Sequence, residues 1–190
     1  MKKFLSILSC LVLLVIITGC GSNKNKDDAL KFKNEYEALN NNSVKMDISE
    51  NNPIKYATFD EVIDILTKGT GVVYFGFPGC PWCRNVIPVL FDVAKENNVD
   101  TIYYFNPREI RNSGDDAYKK LTTILNDYLE ENDEGVKTLY VPDVYFVKDG
   151  QIMGNHLSTV SSQSDPYTAL NDEQRTELKG IYQELFDKIK

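Results

Sequence analysis

The sequence predicts an α/β fold in which a mixed β-sheet carries helices on both faces. Residues 71–105 contain two continuous apolar runs on either side of a helical pattern, and this spacing predicts parallel strands joined by a right-handed crossover. Asp149-Gly150 separates two further strand-like runs, which predicts a β-hairpin. A helical pattern after Asn171 predicts a helix that closes the chain. We therefore expect a sheet that begins parallel and finishes antiparallel.

The first elements precede the sheet centre. Apolar residues at helical spacing over 27–40, namely Leu30, Tyr36 and Leu39, predict a helix ahead of the core. Thr58 and Glu61 form a capping-box pattern for a second helix, which Gly69 should end. The uninterrupted apolar run of residues 71–77 is typical of a strand buried on both faces, and we expect it at the centre of the sheet.

The middle of the chain alternates helix and strand. Apolar side chains recur at helical spacing from Cys80 to about Asn97, and residues 101–105 follow as a second buried strand. Residues 106–115 are polar and predict a loop. Another helical stripe covers 116–129.

The last elements form the hairpin and the closing helix. Strands are predicted at 144–148 and 151–157, followed by a Ser-rich loop over 158–166. Asn171 with Gln174 three residues later forms a second capping-box pattern, which predicts the start of the final helix.

Length and charge restrict the classes of function. The chain has 190 residues, enough for one domain with appendages, and a formal net charge of −7. With no basic stripe in the sequence, nucleic acid is not an expected partner. We expect the main domain over 46–190, with an insertion at about 106–135 whose acidic side chains form a solvated face.

The N-terminus has the layout of a secretory signal. Lys2 and Lys3 precede an apolar run over residues 4–17, which is short for a membrane span, and small residues lead into Cys20. We expect removal of residues 1–19, with an uncleaved anchor as the alternative. Ile17-Thr18-Gly19-Cys20 resembles the lipobox of bacterial lipoproteins. That resemblance implies acylation of Cys20, an extracytoplasmic membrane-anchored location, and a polar tether over 21–28 within a 20–45 leader segment.

The cysteine count leaves one candidate dithiol. Cys10 lies in the apolar run and Cys20 is assigned to lipid, so Cys80 and Cys83 remain. Zinc is disfavoured because His156 alone would join the two thiols, and we expect neither metal nor cofactor. A structural disulfide is the alternative, although a bridge that closes so short a loop adds little stability.

The Cys80-Pro81-Trp82-Cys83 motif is placed where a thiol becomes reactive. It follows the end of a buried strand and opens a helix, whose unpaired N–H groups and dipole stabilise a thiolate on Cys80. Pro81 near the first helical position loses no hydrogen bond there. Cys83, one turn later, should be more covered yet within bridging distance. We therefore predict Cys80 as the attacking sulfur and Cys83 as the resolving one.

These residues carry a resemblance to the thioredoxin superfamily over about 58–188. Phe77 to Arg84, followed by Pro88, is similar to its active-site strand end, Cys-x-x-Cys motif and proline-containing helix, and Val141-Pro142 before the hairpin is similar to its cis-proline loop. The resemblance implies a cis Pro142 and pairing of the Val141 backbone with a substrate segment. An ordinary turn proline is the alternative. Within the superfamily, the chain resembles thioredoxin-like lipoproteins of Gram-positive bacteria, some of them called bacteriocin transport accessory proteins.

Several residues depart from that pattern or are expected to tune it. Thioredoxins carry a buried acid where this chain has Tyr74, whose phenol is a poor base at neutral pH, so that role is either empty or reassigned. Asp143 would raise the pKa of Cys80 if it approached the dithiol, or would be a solvated carboxylate at a strand start. Arg84 would oppose that effect, or simply be exposed. Trp82 either stacks on a substrate peptide or shields the sulfurs.

Two functions of different classes follow. The first is a membrane-anchored, extracytoplasmic thiol-disulfide oxidoreductase that exchanges disulfides with secreted or surface proteins. It would introduce disulfides, or reduce them where a membrane partner supplies electrons. The second is a non-catalytic accessory lipoprotein that docks to an export system of the bacteriocin type. A thiol peroxidase has no supporting motif.

Overall fold

The computed structural model describes residues 21–41, 44–112 and 116–190. Within these ranges six α-helices and seven strands follow one another along the chain, with a 3₁₀ turn at Asn126–Tyr128. The helices are α1 Gly21–Glu37, α2 Phe59–Lys68, α3 Pro81–Glu96, α4 Arg108–Asn112, α5 Asp116–Leu125 and α6 Asp172–Lys188. The strands are β1 Ile54–Tyr56, β2 Gly71–Phe75, β3 Ile102–Phe105, β4 Glu130–Glu131, β5 Lys137–Thr138, β6 Asp143–Lys148 and β7 Gln151–Leu157.

Five of the strands form the main sheet, in the order β1-β3-β2-β6-β7. β1 and β2 both run parallel to β3, whereas β6 is antiparallel to β2 and β7 is antiparallel to β6. β2 is central, and residues 72–75 are buried on both faces. The mixed sheet, the terminal hairpin and the closing helix confirm the predicted fold class, and this strand order is that of a thioredoxin-like fold.

The sheet separates two apolar layers. We call the first the dithiol face: it contains both cysteines and is packed by α1, α3 and α6, represented by Phe32, Leu90 and Tyr182. The second, the opposite face, is packed by α2 and α5, represented by Leu66 and Leu121. Because strand side chains alternate, each residue of β2 or β6 belongs to one face only.

Local signals in the sequence fix several element ends. Thr58 and Asn171 each cap a helix through the predicted capping box. At the hairpin turn Gly150 has a φ of 74°, and a Cβ there would lie 2.3 Å from the carbonyl oxygen of Thr67. Glycine is therefore required both for the backbone conformation and for the close approach of α2.

The structure differs from the predicted elements at several places. α1 begins at Gly21, so the segment predicted as a tether is helical, and the Asp28 carboxylate accepts a hydrogen bond from Tyr56 N at 3.0 Å. The predicted loop over 106–115 contains α4, because the Asn106 side chain accepts from Arg108 N and so starts a helical turn. Neither β1, which pairs with β3 at the edge of the main sheet, nor the short β4–β5 hairpin was predicted.

Among the described residues, no helix combines the length and the apolar character that a membrane crossing requires. Residues 1–20, including the predicted signal and Cys20, lie outside the described residues.

Candidate active site

Cys80 and Cys83 lie where β2 has ended and α3 begins. Cys80 is the N-cap of α3 and Pro81 takes its first position. The proline fits there because its fixed φ suits a helix start and its missing N–H would have had no intrahelical partner. The two cysteines are 3.0 Å apart and are not joined by a disulfide. The pair is therefore a reduced dithiol that is close enough to bridge.

The surroundings of Cys80 favour its thiolate. Its sulfur accepts a hydrogen bond from Cys83 N at 3.3 Å, and lies 3.7 Å from the carbonyl oxygen of Val141. The hydrogen bond from the Cys83 thiol lowers the pKa of Cys80, and the N–H groups of Cys83 and Trp82 act in the same direction, against the effect of burial. Cys80 is therefore the better nucleophile of the pair.

Cys83 has the opposite character. Its side chain is fully buried, and burial raises the pKa of the Cys83 thiol well above its usual value. Donation of its S–H to Cys80 raises this pKa further, whereas a hydrogen bond from Tyr74 lowers it. Cys83 thus keeps its proton while Cys80 ionises, which is the asymmetry predicted from the motif.

Tyr74 belongs to the same buried cluster as the two cysteines. It is fully buried in β2, and its hydroxyl oxygen lies 3.1 Å from the Tyr36 hydroxyl oxygen. Burial raises the pKa of Tyr74 well above 10, so it is a neutral donor rather than a base. The position that holds an acid in thioredoxins is therefore occupied here by a hydroxyl.

Arg84 is buried, so the interpretation of an exposed side chain is wrong. Its guanidinium lies against the end of α1, where it donates to Tyr36 O at 2.7 Å, to the Asn40 amide oxygen at 2.7 Å and to Val44 O at 2.9 Å. A weaker contact at 3.4 Å reaches Pro78 O in the loop before Cys80. The cation is held by carbonyl and amide oxygens at the negative end of a helix.

The loop before β6 faces Cys80. The Val141–Pro142 peptide is cis, as the resemblance implied, and Pro142 is buried while Val141 is partly exposed. Trp82 is also partly buried and packs against the cluster that contains both cysteines. These residues form the wall of the site next to the attacking sulfur.

Asp143 does not contact the dithiol. It is 2 % exposed and, by strand alternation, shares the opposite face with Tyr145, whereas the cysteines lie on the dithiol face. Asn155 Nδ2 donates to its carboxylate at 2.9 Å. Burial raises the pKa of Asp143 to about 7, and this hydrogen bond opposes the rise. It is therefore neither a solvated carboxylate nor a direct tuner of Cys80.

His156 makes one hydrogen-bonding contact and one ring contact within the fold. His156 Nε2 lies 2.7 Å from Thr159 O, and its ring packs edge-on against Tyr182. Throughout residues 21–41, 44–112 and 116–190, no three His, Cys, Asp or Glu side chains are grouped as metal ligands would be.

Two side chains of the site were not singled out from the sequence. Tyr36 appears there only as an apolar position of an amphipathic helix, and nothing indicates where its hydroxyl points. Arg108 stacks on the Phe77 ring with its Cζ 4.6 Å from the ring centre, at the edge of the loop that leads to Cys80. Neither contact has a local sequence signal, because each joins residues far apart in the chain.

No protein-family model and no curated protein matches the chain. Among solved structures it is similar to thioredoxin O2 of Arabidopsis thaliana in the oxidised state, with 17% identity and a TM-score of 0.42, over 71% of this chain and 96% of that one. It is also similar to thioredoxin O1 of the same plant in the oxidised state, with 19% identity and a TM-score of 0.39, over 70% and 97%. The description of the fold as thioredoxin-like rests on the strand order and helix placement given above.

Proposed function

We propose that the protein is a thiol-disulfide oxidoreductase that exchanges disulfides with other proteins. The observation that carries the proposal is the asymmetry of the dithiol: two free thiols 3.0 Å apart, one with a lowered and one with a raised pKa. A purely structural pair needs no such difference. An exchange enzyme needs it, because one sulfur must attack as a thiolate while the other waits as a thiol.

In the reducing direction, the Cys80 thiolate attacks one sulfur of a substrate disulfide. A Cys80–substrate disulfide forms, and the other substrate sulfur leaves as a thiolate that takes up a proton. Cys83 then loses its proton and attacks Cys80, which forms the Cys80–Cys83 disulfide and releases the second substrate thiol. Two electrons pass from the dithiol to the substrate, and the reverse sequence oxidises a substrate dithiol.

The wall beside Cys80 supports a protein or peptide as the substrate. Val141 is partly exposed and its carbonyl oxygen lies 3.7 Å from the Cys80 sulfur, so an extended segment bound along this loop would bring its disulfide to the nucleophile. Trp82, two residues after Cys80, offers a partly exposed ring for contact with that segment. Val141, Pro142 and Trp82 are accordingly our candidate substrate contacts.

We further propose that the protein acts outside the cytoplasm, anchored by lipid on Cys20. The support is the sequence pattern of residues 1–20. In this location, a membrane-bound electron donor would set the reducing direction, and its absence would favour oxidation.

The test uses single substitutions in the full chain, with a disulfide-bonded peptide as substrate. Cys80→Ser should abolish exchange, and Cys83→Ser should accumulate the mixed disulfide, visible by mass spectrometry. Cys20→Ser serves as the matched control in the full chain, because it removes a cysteine without touching the dithiol and should leave exchange intact. Unchanged turnover in Cys80→Ser would refute the proposal.

The second candidate is the non-catalytic accessory lipoprotein that docks to an export system. One observation favours it: Cys80 is only 5 % exposed. The rate of Cys80 alkylation against pH separates the two functions. An exchange enzyme should show a thiolate below the ordinary cysteine pKa of about 8.5, whereas a docking protein should show slow, ordinary alkylation.

A further inference from the structure

Three buried groups form a continuous polar line on the dithiol face. Tyr36 comes from α1, Tyr74 from β2 and Cys83 from α3, and all three are fully buried. The two hydroxyl oxygens are 3.1 Å apart, and Tyr74 acts on Cys83 as a hydrogen-bond donor that lowers the pKa of its thiol. The three groups therefore connect helix α1 to Cys83, which is the fully buried cysteine of the dithiol.

The surrounding structure holds both phenols in place. The Phe32 and Tyr36 rings stack with centroids 4.2 Å apart, and the Tyr74 ring stacks on Tyr104 at 5.6 Å. Gly76 leaves room for the Tyr74 hydroxyl, because a Cβ at Gly76 would lie 2.2 Å from it. A buried polar chain that is packed this closely has little freedom to rearrange.

We propose that Tyr36 and Tyr74 serve the resolving step: the Tyr74 hydroxyl donates to the Cys83 sulfur as this becomes a thiolate, and Tyr36 orients that hydroxyl. The inference rests on the proposed exchange function and deepens it. Tyr74 is then a catalytic residue, because it touches a reacting atom, and Tyr36 is a positioning residue. α1 is thus a functional part of the site.

The step that needs this help is the second one. While Cys80 is a thiolate, the Cys83 thiol donates to it. In the mixed disulfide Cys80 is bonded to substrate, so the negative charge must develop on buried Cys83. A hydroxyl donor stabilises that charge. The Cys83–Cys80 bond forms as the Cys80–substrate bond breaks, and the released substrate sulfur gains the proton that Cys83 has lost. Both phenols keep their protons, since burial raises the pKa of each.

The experiment follows a single turnover of the reduced protein with a fluorophore-labelled peptide disulfide. Formation and decay of the mixed disulfide are separate phases. The rate of the first phase tests the proposed function, and the rate of the second tests this inference. Tyr74→Phe should slow decay about tenfold to a hundredfold, since a hydrogen bond to a charged group is lost. The pH midpoint of decay should rise by about one unit or more, while formation keeps its rate and pH profile.

Tyr36→Phe should act in the same direction by about threefold, and the double variant should be no slower than Tyr74→Phe alone, since one hydroxyl works through the other. Each change removes one oxygen, and urea unfolding confirms the fold before kinetics. Should Tyr74→Phe fail to fold, Tyr36→Phe carries the test through the same pH midpoint.

Tyr182→Phe is the matched control. Tyr182 is fully buried in the same cluster, and its hydroxyl has no hydrogen-bond partner among the described residues. It should leave decay unchanged. Equal slowing in Tyr182→Phe, or unchanged decay in Tyr74→Phe and Tyr36→Phe, overturns the inference while leaving exchange intact. Failure of the wild-type protein to form a mixed disulfide overturns the proposed function itself, and the inference with it.

Discussion

Each face of the sheet buries one ionisable side chain, and the two side chains are accommodated in opposite ways. Among the described residues, Arg84 and Asp143 are the only buried side chains that carry a formal charge. Arg84 lies on the dithiol face and donates to oxygen acceptors at the end of α1 and in the loop that follows it. Asp143 lies on the opposite face with a hydrogen bond from Asn155, and its pKa rises to about 7.

The difference follows from what each group is able to do with its proton. A guanidinium remains charged in a protein, so its burial demands a full set of acceptors. A buried carboxyl can instead keep its proton and remain neutral, so it needs fewer hydrogen-bond partners than a permanent charge does. The dithiol face therefore contains a permanent positive charge near Cys80 and Cys83. On the opposite face, the charge of the buried side chain depends on pH.

The largest effect should come from removal of the permanent charge. Arg84→Met removes the hydrogen bonds that the guanidinium donates to Tyr36 O, the Asn40 amide oxygen and Val44 O. Tyr36 O still accepts from Leu39 N and the Asn40 oxygen from Met46 N, so only Val44 O loses its donor. A hydrogen bond to a charged group contributes about 1.5–3 kcal/mol. We expect a loss of about 4 kcal/mol in the free energy of unfolding, measured in urea. Proteolysis should also cut earlier between α1 and β1, because the guanidinium ties the end of α1 to α3.

Arg175→Met provides the control for that experiment. Arg175 forms a surface ion pair with Asp92 at 3.3 Å and is 41% exposed, so its loss should change stability by less than about 1 kcal/mol. A similar small loss of stability in Arg84→Met would show that Arg84 does not hold α1. The buried charge would then not be what stabilises the dithiol face.

The next effect concerns pH and the opposite face. Because the folded pKa of Asp143 is about 7 against an ordinary value near 3.8, the folded state holds a proton that the unfolded state has lost between these values. Stability from this group is therefore present below about pH 4, falls as pH rises toward 7, and is absent above. Asp143→Asn should remove that slope.

At pH 8 the Asp143→Asn variant should exceed wild type by about 3 kcal/mol, and at pH 4 the two should be nearly equal. Asn at this position keeps an oxygen that accepts from Asn155. The measurement is urea unfolding across this pH range, with exposed Asp133→Asn as the control. Equal stability of wild type and Asp143→Asn at pH 8 would contradict the assignment of Asp143 as a buried, pH-sensitive group.

The same two residues show how far the sequence predicts the site. The dithiol and most elements follow from local patterns, namely capping boxes, an Asp-Gly turn and a Cys-Pro-Trp-Cys motif. The cis-proline loop follows from the resemblance to the thioredoxin superfamily. The environment of Arg84 does not, because its acceptors come from a helix end and a loop about forty residues earlier in the chain. The environment of Asp143 was not predicted correctly. The sequence placed this residue at the start of a strand but did not indicate which face of the sheet its side chain occupies. Tyr36 was found only as an apolar position.

The smallest of the expected effects concerns only the dithiol face. Gly76→Ala places a methyl group where the Tyr74 hydroxyl now lies, 2.2 Å away, so the phenol must shift. Overpacking of this kind costs about 1–3 kcal/mol, and we expect about 2 kcal/mol with slower decay of the mixed disulfide. Gly180→Ala is the matched control: a Cβ there meets nothing within 4 Å in α6, so stability should rise by about 0.5–1 kcal/mol. If Gly76→Ala lost stability but resolved the mixed disulfide at the wild-type rate, the location of the Tyr74 hydroxyl would matter for packing and not for Cys83.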